Sequence, residues 1–64
     1  MHLIMKSEFE NLQINDNHEY ESDQSGNKKV LKIYGPDELL IAKRVIIKKS
    51  TRYFGCKDYK KYLA

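Results

Sequence analysis

The sequence is short of everything that usually staples a small protein together. Its one cysteine, Cys56, cannot close an internal disulfide, and with only His2 and His18 beside it there is no ligand set at recognisable zinc spacing. No metal site and no cofactor are expected. The chain also lacks an apolar run approaching the roughly 20 residues of a membrane-spanning helix. The segment His2–Met5 is too short for a signal sequence and has no leading basic region. These absences lead us to expect a soluble protein of a reducing cytoplasm, with no membrane contact.

Catalytic signatures are missing too. There is no phosphate-cradling glycine loop, no H-E-x-x-H and no serine elbow. Cys56 lies beside Lys57, but nothing in the sequence brings His2 or His18 to it as a base. A chain of 64 residues rarely encloses a substrate pocket. The expectation is therefore a protein that is not an enzyme. Residues 1–64 make room for a single small domain, with a core worth about 3 to 5 kcal/mol. A homodimer is one way to enlarge so small a core.

What the chain does have is charge, sharply divided. Residues 1–27 carry six acids against Lys6 alone, a balance of −5, whereas residues 28–64 carry eleven bases against Asp37, Glu38 and Asp58, a balance of +8. Such a split points to an electrostatically directed contact with nucleic acid or an acidic protein, or to two halves that attract each other. Lysine, isoleucine, tyrosine and asparagine make up 25 of the 64 residues, a bias of AT-rich coding sequence such as that of low-GC bacteria and their phages.

The longest organised stretch is GPDELLIAKRVIIKKS, from Gly35 to Ser50. Gly35 suits a helix N-cap, Pro36 the first helical position, Asp37 and Glu38 the first turn, and Lys48 and Lys49 the last. This predicts a long helix over about 36–50, roughly 21 Å in length if it has 14 residues. Leu39, Leu40, Ala42, Ile46 and Ile47 would form its apolar face, with Lys43 awkwardly close to the centre and Ile41 and Val45 on the other side. The β-branched cluster Val45–Ile47 leaves an alternative, a strand beginning near Arg44.

Before this stretch the pattern is extended. KKVLKIY, Lys28–Tyr34, reads as a strand, and with His18–Ser22 it makes a hairpin whose tip is Ser25, Gly26 and Asn27. Residues 2–14 fit two periods. Met1, Met5, Phe9 and Leu12 share a helical face, and Ser7 with Glu10 matches a capping box, but Ile4, Leu12 and Ile14 share a face if the segment is extended, and a strand is the preferred reading. After Gly55, a C-cap or turn residue, KDYKKYL predicts a short terminal helix over about 57–63. The fold expected is α+β: an antiparallel β-hairpin or three-stranded sheet packed against the long helix and the short one.

Function is sought first in the basic, aromatic C-terminal half: Arg44, Lys48, Lys49, Arg52, Tyr53, Lys57, Tyr59, Lys60 and Lys61. Cations neutralise phosphates while aromatic rings stack on bases, the combination that single-strand binding uses. Two helices joined near Arg52–Cys56 would also have the outline of a helix-turn-helix. Ten lysines against two arginines leave little capacity for bidentate guanine contacts, so little sequence reading is expected. A solvated lysine face over a tyrosine-filled core would use the same residues.

The stretch Asn15–Asp23 is acidic but fails the spacing of an EF-hand loop. Glu19, Glu21 and Asp23 would share one side of a strand, either as a contact for a basic protein or as an edge kept charged against aggregation. The leading expectation is a non-enzymatic module that contacts nucleic acid or a nucleoprotein complex. The alternative is a small regulator or inhibitor, of the kind phages encode, that binds a host protein through an apolar helix face and charged surfaces, with an exposed Ile41 or Val45 as the anchor whose change would weaken binding most.

Overall fold

The computed structural model describes residues Met1–Ala64 as two layers, a five-stranded antiparallel sheet with a single helix on one face. In chain order the elements are strand β1 (His2–Leu3), helix α1 (Lys6–Gln13), strands β2 (Glu19–Ser25), β3 (Lys28–Tyr34), β4 (Leu40–Ile47) and β5 (Ser50–Gly55), and a 3-10 turn at Tyr59–Tyr62. The strands lie side by side as β1-β5-β4-β3-β2.

The long helix over 36–50 does not form. Its first residues are also turn residues, and that use of them prevails. The Glu38 N–H donates to the Gly35 carbonyl at 2.9 Å and the Gly35 N–H to the Leu39 carbonyl at 3.0 Å, with Glu38 at φ +65°. This is the pattern of a three-residue hairpin loop, with proline at the second position of the turn and a left-handed residue closing it. The eight residues that follow, LIAKRVII, are rich in β-branched side chains and pair along both edges with β3 and β5. A strand does begin within the stretch, at Leu40 rather than near Arg44.

The predicted hairpin forms with β3 at its expected bounds, and its partner runs on to Ser25, leaving a two-residue tip of Gly26 and Asn27. Gly26, at φ +58°, occupies the first tip position. The β4–β5 hairpin repeats this arrangement with Lys48 and Lys49, and Lys48 holds φ +55° without being glycine. The two tips touch where the Lys48 N–H donates to the Asn27 carbonyl at 3.3 Å.

Residues 2–14 are mainly helical, correcting the strand reading. The spacing of Phe9 and Leu12 decides this, because both side chains become fully buried against the sheet. The Ser7–Glu10 capping box is not used. Glu8 caps instead, accepting the Met5 N–H at 3.0 Å. At the C-terminal end His18 is buried, and its Nδ1–H donates to the Leu12 carbonyl at 2.8 Å, satisfying one of the helix's last carbonyls.

The core is Phe9, Leu12, Leu31, Ile33, Ile41 and Ala42. A β-bulge, at which Leu40 and Ile41 oppose a single residue of β3, brings the adjacent Ile41 and Ala42 into it together. The terminal helix predicted over 57–63 shortens to the 3-10 turn, which lays Tyr59, Tyr62 and Leu63 against the rim of the core. Gly55 ends a strand and is not a helix C-cap: a Cβ there would come within 2.8 Å of Tyr59 Cγ and 2.9 Å of Ile4 Cγ2.

Candidate nucleic-acid interface

Because α1 covers only one side of the sheet, strand alternation exposes the other. The register defines the rows of that open face. Asp23, Val30, Val45 and Arg52 stand across from one another, as do Glu21, Lys32, Lys43, Phe54 and Leu3. Tyr34 lies between Glu19 and Leu40 on one flank, and Lys28 beside Ile47 on the other. The face therefore runs from an acidic margin on β2 to a basic and aromatic field on β3, β4 and β5. The Lys43 ammonium sits 5.6 Å from the Phe54 ring centroid, and Lys32 pairs with Asp23 at 3.8 Å.

The directly opposed Lys32 and Lys43 violate an ordinary rule of sheet pairing. Like charges in register destabilise a sheet, by about 0.2 to 1 kcal/mol in magnitude. Phe54 and Asp23 offset part of this through the contacts just given. The hairpin tip adds Lys48 and Lys49 next to Arg52 and Ile47.

The residues singled out from sequence are dispersed. Lys48, Lys49 and Arg52 gather at one end of β5, with Arg52 on the open face. Lys57, Lys60 and Lys61 follow the other end of β5, in a molecule 32 Å long. Arg44 and Tyr53 oppose each other on the helix side, where the Phe9 ring lies 5.3 Å from Tyr53 and 5.9 Å from the Arg44 guanidinium. Tyr59 is tied under α1, its hydroxyl donating to Glu8 at 2.9 Å. The helix-turn-helix outline has no counterpart, since Arg52–Gly55 lies within β5. Ile41 cannot be a surface anchor because it is 1 % exposed, whereas Val45 does face outward.

Sequence reading missed Lys28, Lys32, Tyr34 and Lys43 as neighbours on this face. The alternation in KKVLKIY was a signal for the first three: Leu31 and Ile33 face the core, so Lys28, Val30, Lys32 and Tyr34 must face away. In β4 the signal was hidden, because residues of both parities are apolar.

Two carboxylates near the 3-10 turn are held below their ordinary pKa. Glu8 is lowered first by the Met5 N–H and then by the Tyr59 hydroxyl. Asp37 is lowered chiefly by the Leu39 N–H, with the Tyr62 hydroxyl also donating at 3.1 Å. The Glu8 bond in turn raises the pKa of Tyr59. These bonds join helix, loop and turn away from the open face. No group of three or more histidine, cysteine or acidic side chains is placed to hold a metal ion, and no helix is long and apolar enough to cross a membrane. Comparison with known protein families, curated proteins and solved structures finds no match.

Proposed function

We propose that the protein is a non-enzymatic module that binds single-stranded nucleic acid, alone or within a nucleoprotein complex, on the open face of its sheet. One observation carries this reading: Lys28, Lys32, Lys43 and Arg52 share that face with Tyr34 and Phe54, alongside the Lys48–Lys49 tip. Cations spaced across neighbouring strands neutralise a phosphate backbone, and half-buried aromatic rings offer bases a stacking surface. Glu19, Glu21 and Asp23 repel the same backbone, so the strand tracks over β3 to β5 and stays clear of β2. Lysine at the left-handed position of the tip, where glycine is easier, supports the tip as part of the surface. Arg52 is the one guanidinium among these groups, so bidentate reading of bases is scarce and binding depends little on sequence.

The test is fluorescence anisotropy with labelled single-stranded and duplex oligonucleotides across salt concentration. With about four phosphates neutralised, log affinity for the single strand should fall against log salt with a slope near −3. Lys32→Glu with Lys43→Glu should abolish binding and leave the circular dichroism spectrum unchanged. Absence of binding at low salt, or binding untouched by the charge reversals, would refute the proposal.

A second reading is favoured by the Val30–Val45 pair at the middle of the same face. In it the module is a small regulator that docks this apolar centre on a protein, with charged margins fixing orientation. Val30→Asp would then weaken partner binding more than any lysine reversal.

A further inference from the structure

The geometry points to a second, separate site: a groove on the helix side of the sheet that binds a small organic oxyanion, with Arg44 at its floor. Helix α1 packs over the β4–β5 half of the sheet, and none of its residues lines the groove near the hairpin tips. The rows left uncovered on that side, Ser22–Leu31–Arg44 and Gln24–Lys29–Ile46, line a groove of about 370 Å³. That volume is within the range of small-molecule sites.

Arg44 is the reason to expect an anion there. It is half-buried, its Nε is buried without a hydrogen-bond partner, and neither ion pair of the chain, Lys6–Glu10 or Lys32–Asp23, includes it. A partly desolvated guanidinium without a counter-ion is unfavourable, and the Phe9 ring at 5.9 Å compensates only in part. Asp23 also borders the groove, but its carboxylate is engaged by Lys32 at 3.8 Å and forms no ion pair with Arg44. Lys29 adds a second cation, Ser22 and Gln24 supply hydrogen-bonding groups, and Leu31 and Ile46 form an apolar wall. Guanidinium binds planar carboxylate and phosphate oxygens bidentately, and the wall accepts the body that carries them. The ligand class is therefore a carboxylate or phosphate monoester on a small apolar group. The groups proposed to hold nucleic acid, Lys28, Lys32, Lys43, Arg52, Tyr34 and Phe54, do not line this groove, so either site can fail without the other.

The experiment titrates the intact protein with phenyl phosphate and, separately, with benzoate at constant ionic strength, following the Arg44 Nε–H and backbone amide resonances by NMR. A saturable shift of the Arg44 Nε–H and of the Lys29 and Ile46 amides is expected. Arg44→Lys should weaken binding by at least about tenfold, because the bidentate charge-assisted pair is lost. Lys29→Gln, an exposed change that leaves the core alone, should weaken it by about threefold. Tighter binding of phenyl phosphate than of benzoate assigns the groove to phosphate monoesters, and the reverse assigns it to carboxylates. Shifts that rise linearly without saturation for both probes, or affinity unchanged in both variants, would overturn the site.

Discussion

The Tyr59 hydroxyl donates to the Glu8 carboxylate at 2.9 Å across 51 residues of chain, joining the 3-10 turn to the N-terminal turn of α1. The other carboxylate oxygen caps the helix by accepting the Met5 N–H at 3.0 Å. One side chain thus fixes both the start of the helix and the place where the C-terminal segment docks.

That double use predicts a loss of stability at both ends of the pH scale. Glu8 and Asp37 have lowered pKa values in the folded state, so their contribution is present above the unfolded values, near pH 4, and is lost as pH falls through the lowered ones. Tyr59 is raised, so its contribution is present below about pH 10 and is lost as pH rises through the folded value. Thermal melts should show a plateau around neutrality with a fall on each side. Tyr59→Phe should lower the plateau and flatten the alkaline fall, and Glu8→Gln should flatten both. Unchanged limbs in both variants would show that the bond contributes nothing to folding.

Gly55→Ala should destabilise by about 1 to 3 kcal/mol, the usual range for overpacking. The added methyl meets Tyr59 Cγ at 2.8 Å and Ile4 Cγ2 at 2.9 Å, so the 3-10 turn or β1 must shift. In a domain worth about 3 to 5 kcal/mol the loss would be plain in urea denaturation.

The two left-handed residues should separate stability from binding. Glycine removes the steric cost of a positive φ while losing some conformational entropy, a net gain of a few tenths to about 1 kcal/mol. Glu38→Gly, at φ +65°, should raise the denaturation midpoint and leave oligonucleotide affinity alone. Lys48→Gly, at φ +55°, should raise the midpoint by a similar amount and weaken oligonucleotide binding.

Lys43→Thr should likewise stabilise the sheet while costing affinity. It removes the Lys32–Lys43 opposition and places a β-branched residue between Lys32 and Phe54, worth about 0.2 to 1 kcal/mol. Paired measurement of urea midpoint and anisotropy checks both halves. A loss of stability would mean that the Lys43–Phe54 contact outweighs the repulsion.

The sequence by itself determined the hairpin from β2 to β3. Alternation along Lys28–Tyr34 and the glycine near its tip are local facts, and no other part of the chain competes for them. It also determined which residues carry charge, and that the chain divides into an acidic and a basic half. Tertiary structure decided the central stretch. Gly35-Pro36-Asp37-Glu38 carries signals for a helix start and for a tight turn alike, and LIAKRVII becomes a strand because β3 and β5 lie on either side to complete its hydrogen bonds. The candidate site followed that outcome. A helix would have scattered Lys43, Val45 and Arg52, whereas a strand pairs Val45 with Arg52 and Lys43 with Phe54 on one face. Cross-strand neighbours are set by register, a non-local property, and register is why only the fold could show which cations share a surface.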